Sequence, residues 1–476
     1  MIEQTAAAVP TMLAVRSLME GQRRPLGHRS CVRKRTSTVA KPRGDRTFPI
    51  PISAPVAAPA CPLNDDASAL AKKKDRVAEP LTRLGVDPRQ GALTAMTIVN
   101  PLGVAPMPSF TNAAALAGIA LFDPDGHNPG NLHDQASREM LVSRLARLLR
   151  LPVIDVVEDA EDVGPDVLLV PRDTLIGEDM TSRTVFTAGN LLGGRVPHRF
   201  IATKAITHGL IDRSATCPTG WSNTMAERLG DAALEGYTAF SIADAIEAGR
   251  RLLETGPVRV KDVLAKAGLG QTVVETTEAL AAVIAEQDEA QIAAFGVVLE
   301  ENLLGVETYS VGTLSVGGLR ISYVGDQRET TDHRGREVYG GSRLRCVRGD
   351  LDRLTHLGLP PEAVEAVRCA AVFDDAAQRA YPDLVLTRRN YDVLAGKDAR
   401  GRRRVGVLEQ SWRVGGATGA EIAALEAFAA SPALTSVETA TVEVYGLADV
   451  GPEDVVYFRG EDPKVGPMTK YVTRTA

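Results

Sequence analysis

The residues with the most chemical capacity are lysines and carboxylates at the ends of apolar, strand-like runs. Lys261 closes PVRVK and is followed by a loop bearing Gly268 and Gly270. A lysine so placed can gather an ammonium and free backbone N–H groups around phosphate oxygens; alone, it reads first as a surface lysine beside an ordinary turn. In VVLEENLLGVE an apolar run ends in Glu300 and Glu301, and Glu307 follows a glycine turn. Main-chain groups and one acid there could read an adenine edge while another acid accepts from ribose hydroxyls; alone, the segment is a solvated acidic hairpin corner. Asp392 in NYDVLAG and Glu409 in VLEQSWRVGGAT lie in two more such runs, with Arg413 four residues after Glu409. Two carboxylates on neighbouring antiparallel strands can share a hard cation such as Mg2+, and the arginine can stabilise charge on a transferring phosphoryl group. A buried Asp/Glu/Arg ion network accounts for these three equally well in isolation. Lys204, in FIATKAITH, gains meaning only beside the others.

Positioning these residues is the work of alternating helix and strand signals beyond Phe110. QASREMLVSRLARLLR places Leu141, Leu145, Leu148 and Leu149 on one helical face, and LPVIDVV and DVLLVP after it read as short buried strands. PHRFIATK reads as a strand leading into a helix, ADAIEAGRRLLE as a helix, and TTEALAAVIAEQDEAQIAA as one further helix. VVLEENLLGVETYSVGTLSVGG and LRISYVGD read as antiparallel strands with short glycine turns. PEAVEAVRCAAVFDDAAQRA is an amphipathic helix; NYDVLAG and RRVGVLEQSW form two strands joined by KDARGR; GAEIAALEAFAAS is a helix before TATVEVYG, read as the last strand. No fixed-period repeat marks a solenoid.

In order and spacing these constellations resemble the ATP-grasp superfamily, whose members bind ATP between two α+β lobes. The resemblance covers roughly residues 197–446. It implies that Lys204 and Lys261 neutralise phosphate charge beside the Gly268 and Gly270 loop. It further implies that Glu300 faces the adenine amino group, that Glu301 and Leu303 contribute hinge main chain, and that Glu307 holds the ribose. Asp392 and Glu409 would hold Mg2+, or Mn2+ in its place, and Arg413 would act on the transferred phosphoryl or the acceptor. Ser411 stands where the family pattern Glu-x-Asn-x-Arg has Asn, which bears on how tightly a second metal ion is held. The chain also resembles an uncharacterised bacterial ATP-grasp family often labelled biotin carboxylase.

The implied fold class is mixed α+β: an ATP-grasp domain over residues 197–460, with a small lobe at about 205–305 and a large lobe at about 306–450. A small α/β unit over 110–196 precedes it, and residues 461–476 are expected to form a tail. The implied activity is an ADP-forming ligase that activates a carboxylate for attack by an amine or other nucleophile. A biotin-carboxylase-like enzyme acting on bicarbonate and a non-catalytic nucleotide-binding protein are the alternatives. Expected partners are small-molecule carboxylates and nucleophiles and a second copy in a homodimer, with neither membrane nor specific nucleic acid.

Composition frames the rest. The 476 residues are 44% hydrophobic with a formal charge of -6, which excludes a mostly disordered chain and a strongly basic nucleic-acid binder. Residues 1–50 nevertheless carry ten Lys or Arg against three Asp or Glu, and 13 of the 28 prolines precede Phe110. Residues 1–109 are therefore expected as a disordered basic tail, a transit-like segment, a tether to nucleic acid or an acidic surface, or sequence upstream of a start such as Met96. Five cysteines form no CxxC pair, which argues against a disulfide framework or structural zinc and for a cytoplasmic protein. His127 and His133, with Asp125 and Asp134, could be read as a metal cluster or as ordinary loop polarity. His333 lies in a polar stretch that either closes over a substrate or forms a solvated hairpin tip.

Overall fold

The computed structural model describes residues 116–124, 131–180, 185–265 and 270–475; the expected tail at 1–109, His127 and Gly268 lie outside the described residues. The class is mixed α+β. A wholly antiparallel sheet of eight strands runs, edge to edge, Arg403–Ser411, Arg388–Lys397, Leu304–Val316, Leu319–Thr331, Glu337–Arg348, Ser436–Val444, Gly466–Thr475 and Val455–Asp462. A second antiparallel sheet runs Gly236–Ala239, Val297–Glu301, Val258–Asp262 and Gln271–Val274. Two smaller sheets are the parallel pair Gly118–Phe122 with Val167–Pro171, and a three-stranded sheet of Val385–Leu386, Gly194–Val196 and Leu175–Ile176.

Side-chain alternation along the small sheet separates its faces. Val258, Val260, Val297 and Leu299 turn toward the helices Ile242–Leu253 and Thr277–Ala285, where Ala245, Ala248, Leu252, Leu280 and Ile284 close the core. Ser241 starts the first helix by accepting the Asp244 N–H at 3.1 Å and donating its hydroxyl to the Asp244 carboxylate at 2.7 Å. Arg259, Lys261 and Glu300 therefore lie on the opposite face.

The large sheet is covered on both sides. Helix Pro361–Ala380 packs Val367, Phe373 and Ala377 against one face. Helix Thr418–Ala430 is buried almost all round and lies on the other, beneath helix Leu132–Leu149. Glu421, in the first turn of the buried helix, is fully inaccessible and paired with Arg388.

Several elements differ from the expectations. PHRFIATK forms two 3-10 turns, Arg199–Ala202 and Lys204–Thr207. Thr203 separates them, donating its hydroxyl to Phe200 O at 2.8 Å and accepting the Ala205 N–H at 3.2 Å, so it ends one turn and starts the next. The expected single helix after residue 275 is two, Thr277–Ala285 and Glu289–Phe295, because Asp288 accepts the N–H groups of Ala290 and Gln291 and starts a new helix. LPVIDVV makes only isolated bridges, through Val153 and Val157. Ser436–Val444 is not the last strand, and the expected tail at 461–476 instead continues the large sheet in Val455–Asp462 and Gly466–Thr475. Alternation in this hairpin buries Tyr457, Met468 and Val472, a pattern too short and polar to stand out in sequence.

Candidate functional site

The 3-10 segment that carries Lys204 is held against the edge strand of the large sheet. Gln410 donates to Ile201 O at 2.9 Å and Thr203 O at 2.7 Å, and Thr207 donates to Leu408 O at 3.3 Å. Lys204 is buried at 6% exposure, its ammonium 2.7 Å from the Glu409 carboxylate and donating to Ala265 O at 3.1 Å. One lysine thus joins the large sheet to the loop that follows Lys261. That loop is closed by the Asp262 N–H on Gly270 O at 2.9 Å. Gly270 has φ +66, and a Cβ there would sit 2.4 Å from the Ala265 Cβ, so only glycine fits the closure.

Lys261 and Glu300 are diagonal neighbours on one sheet face, since Lys261 pairs with Val298 and Arg259 with Glu300. Their ammonium and carboxylate form a buried ion pair, and His208 Nε2 lies 3.2 Å from the other Glu300 oxygen. Burial alone would raise the Glu300 carboxyl, but the Lys261 charge and then His208 outweigh it and hold it at about 2, below its ordinary 4.5. A depressed acid contributes stability at pH above about 4.5, and that contribution is lost as pH falls through about 2. Glu300→Gln is therefore expected to be less stable than the parent at pH 5, by on the order of 3 kcal/mol, with the gap narrowing toward pH 2. Urea unfolding of both proteins across that range checks it, and a gap independent of pH would contradict it.

Asp392 and Glu409 are direct cross-strand partners, with a bulge immediately after Asp392. Gln327 Nε2 at 2.8 Å, Asn390 Nδ2 at 2.9 Å and the Ser310 hydroxyl at 3.4 Å all donate to Asp392 Oδ1. Burial first, then repulsion from Glu409, push the Asp392 carboxyl up to about 6 against these donors. Ser411 lies opposite Asn390, and its carbonyl and hydroxyl accept from Arg388 at 3.0 and 3.3 Å. Arg388 also donates to Arg413 O at 2.7 Å and ion-pairs with Glu421, which accepts from the Tyr323 hydroxyl at 2.6 Å. Arg388 therefore fixes the strand end at Ser411 and the main chain at Arg413 just beyond it.

The remaining expected residues are placed as follows. The Glu300 carboxylate, 1% exposed and engaged by Lys261 and His208, is not free to face an adenine amino group as expected. The Glu301 N–H is taken by Glu235 O at 2.8 Å, and its carboxylate accepts from the Glu235 N–H at 3.0 Å and Arg404 at 2.9 Å, so neither group is open as hinge surface. Leu303 is buried, with Leu304 and Val306 exposed beside it. Glu307 is exposed and accepts from Tyr309 at 3.0 Å. Arg413 turns away from the acid pair: its Nε lies 3.7 Å from Asp173, and it lines a separate cavity of about 870 Å3. His133 is buried, with Nδ1 3.0 Å from the Lys470 ammonium, an environment that disfavours a metal ligand. Among the described residues no cluster of three or more metal-ligating side chains occurs. His333 tips the Leu319–Arg348 hairpin and lies on the cavity rim.

Sequence reasoning missed His208, Asn390, Gln327, Arg388 and Glu421. Glu421, the first of two carboxylates in the apolar helical run EIAALEAFAA, was the one signal that a buried cation must meet it.

The chain belongs to the family described as "Protein of unknown function (DUF3182)", which matches residues 123–472. No curated protein matches the sequence. Among solved structures, N5-carboxyaminoimidazole ribonucleotide synthetase in an ADP complex is similar at 14% identity and a TM-score of 0.33, over 53% of this chain and 65% of that one, just under two thirds of its length. Phosphoribosylamine–glycine ligase from Thermotoga maritima is similar at 13% identity and a TM-score of 0.43, over 76% and 90%. Biotin carboxylase from Campylobacter jejuni, in a β,γ-ATP complex, is similar at 10% identity and a TM-score of 0.41, over 76% and 89%. With every one of these TM-scores below 0.5, what the site can do is read from its own geometry. No described helix is long and apolar enough to cross a membrane.

Proposed function

We propose that the chain is an ATP-dependent ligase of the ATP-grasp type, which activates a substrate carboxylate as an acyl phosphate for attack by an amine or another nucleophile. The observation that carries this reading is the Lys204 ammonium, which meets Glu409 of the acid pair on one side and the loop after Lys261 on the other. Three segments far apart in sequence, each picked out for phosphate or metal chemistry, converge on that one side chain.

The residues fit a divalent cation. Asp392 and Glu409 oppose each other, only Glu409 has a lysine beside it, and Asp392 is pushed up to about 6. Two oxygen donors in mutual repulsion suit a hard ion such as Mg2+, with Mn2+ as the substitute. That ion would be held by Asp392 and Glu409 and would neutralise charge on the transferring phosphoryl group. The lysines fit a polyphosphate, since each ammonium has three donors. Glu300 occupies one on Lys261, while Glu409 and Ala265 O occupy two on Lys204. The remaining ammonium donors are the protein's means of gripping ATP.

In the reaction, an oxygen of the substrate carboxylate bonds to the γ-phosphorus as the β,γ bridging bond breaks, giving an acyl phosphate and ADP. Attack by the nucleophile then releases phosphate. The protein's part is to position and to neutralise: Lys204 and Lys261 offset phosphate charge, and Arg388 holds the Ser411–Arg413 strand end in register. Calorimetric titration of the full chain with ATP tests the reading. One-to-one binding tightened at least tenfold by Mg2+ is expected, and no saturable binding in Mg2+ would overturn it.

A further inference from the structure

The cavity of about 870 Å3 takes Arg413 into its lining but neither Asp392 nor Glu409. Its volume falls in the range that encloses a metabolite-sized molecule. Tyr339, Tyr445, Tyr457 and Tyr471 give its lining four aromatic rings. Seven cationic side chains line it against four carboxylates. Most are already paired: Arg138 with Asp123, Arg336 with Asp332, Arg413 with Asp173, and Lys470 with Asp134 and Glu443. Arg334 and Lys464 have no carboxylate partner among the described residues.

Those two cations stand on adjoining hairpin tips. His333, next to Arg334, lies 3.0 Å through Nε2 from Pro467 O, and a Cβ on Gly466 would sit 3.0 Å from the His333 ring. Arg413 follows Ser411 by two residues and is tied to it through the shared Arg388 clamp. The cavity therefore combines Arg413, whose main chain the Arg388 clamp ties to the strand that bears Glu409, with four tyrosines and the two cations on the adjoining hairpin tips.

We propose that this cavity holds the carboxylate substrate, and that the substrate is a small molecule with two anionic groups. The carboxylate to be activated lies toward Arg413, and a second carboxylate or a phosphate lies between Arg334 and Lys464. This rests on the ligase reading only for which end reacts. Binding of the dianion does not require ATP, so the two can fail separately.

Calorimetric titration of the full chain without nucleotide tests it, with glutarate and 3-phosphoglycerate as probes that each bear two anionic groups and butyrate as the control that bears one. At least tenfold tighter binding of one dianion than of butyrate is expected, and which dianion binds tells whether the rim takes carboxylate or phosphate. In the double variant Arg334→Ser/Lys464→Ser, whose side chains are exposed, that preference is expected to disappear while ATP binding is unchanged. Equal binding of all three acids, binding of none, or a preference that survives the double substitution would overturn the proposal. Loss of ATP binding in the parent with dianion binding intact would instead contradict the ligase reading alone.

Discussion

Replacing Arg388 with methionine is expected to destabilise the protein by about 3–5 kcal/mol, the cost of leaving one partner of a buried ion pair alone. Arg388 is 2% exposed and Glu421 is inaccessible, so water cannot take the arginine's place. Burial opposes the arginine's charge, and Glu421 more than restores it, holding its pKa above the ordinary value. The same side chain bridges Ser411 O and Arg413 O, so its loss frees a strand end as well as a charge. The companion variant Arg388→Met/Glu421→Leu removes both charges and is expected to recover part of the loss, since apolar replacement of a whole buried pair is often tolerated. Urea unfolding midpoints of the parent and both variants decide it. A single substitution costing under about 1 kcal/mol, or a double variant less stable than the single, would contradict the assignment.

Much of this molecule was legible in sequence where one periodicity governed an element. The runs containing Lys261, Glu301, Asp392 and Glu409 are strands because they are short, apolar and rich in β-branched residues, and the strand period of two puts Lys261 and Glu300 on one face. The register placing Asp392 opposite Glu409 follows from the hairpin between them. What could not be read was the polar side of each contact. Glu300 looked like an open acid because sequence does not reveal that His208 and Lys261 close on it from two elements. Glu301 looked like hinge surface because its Glu235 and Arg404 partners lie 66 and 103 positions away. Spacing groups Arg413 with the acid pair, yet the strand ends at Ser411, Trp412 is buried, and the arginine lines a cavity that includes neither acid. The C-terminal hairpin was read as a tail because its few apolar residues gain partners only from distant strands.

Substituting Glu409 with glutamine addresses the acid pair itself. The change keeps shape and one acceptor oxygen but removes a negative charge that faces Asp392 and balances Lys204. The fold should tolerate it, because Glu409 is half-exposed and its strand is held by Gln410 and by pairing with Arg388–Lys397. Turnover should not, because electrostatic groups aimed at developing charge are worth about 10²–10³ in rate each. The decisive measurement is ADP formation by the purified full chain, with and without Mg2+, across a panel of carboxylates that includes the dianions above and bicarbonate. The parent is expected to form ADP only with Mg2+ and a carboxylate present, and Glu409→Gln to lose at least about a hundredfold of that rate at an unchanged unfolding midpoint. A folded Glu409→Gln protein that turns over at the parental rate, or a parent that forms no ADP with any carboxylate, would contradict the account.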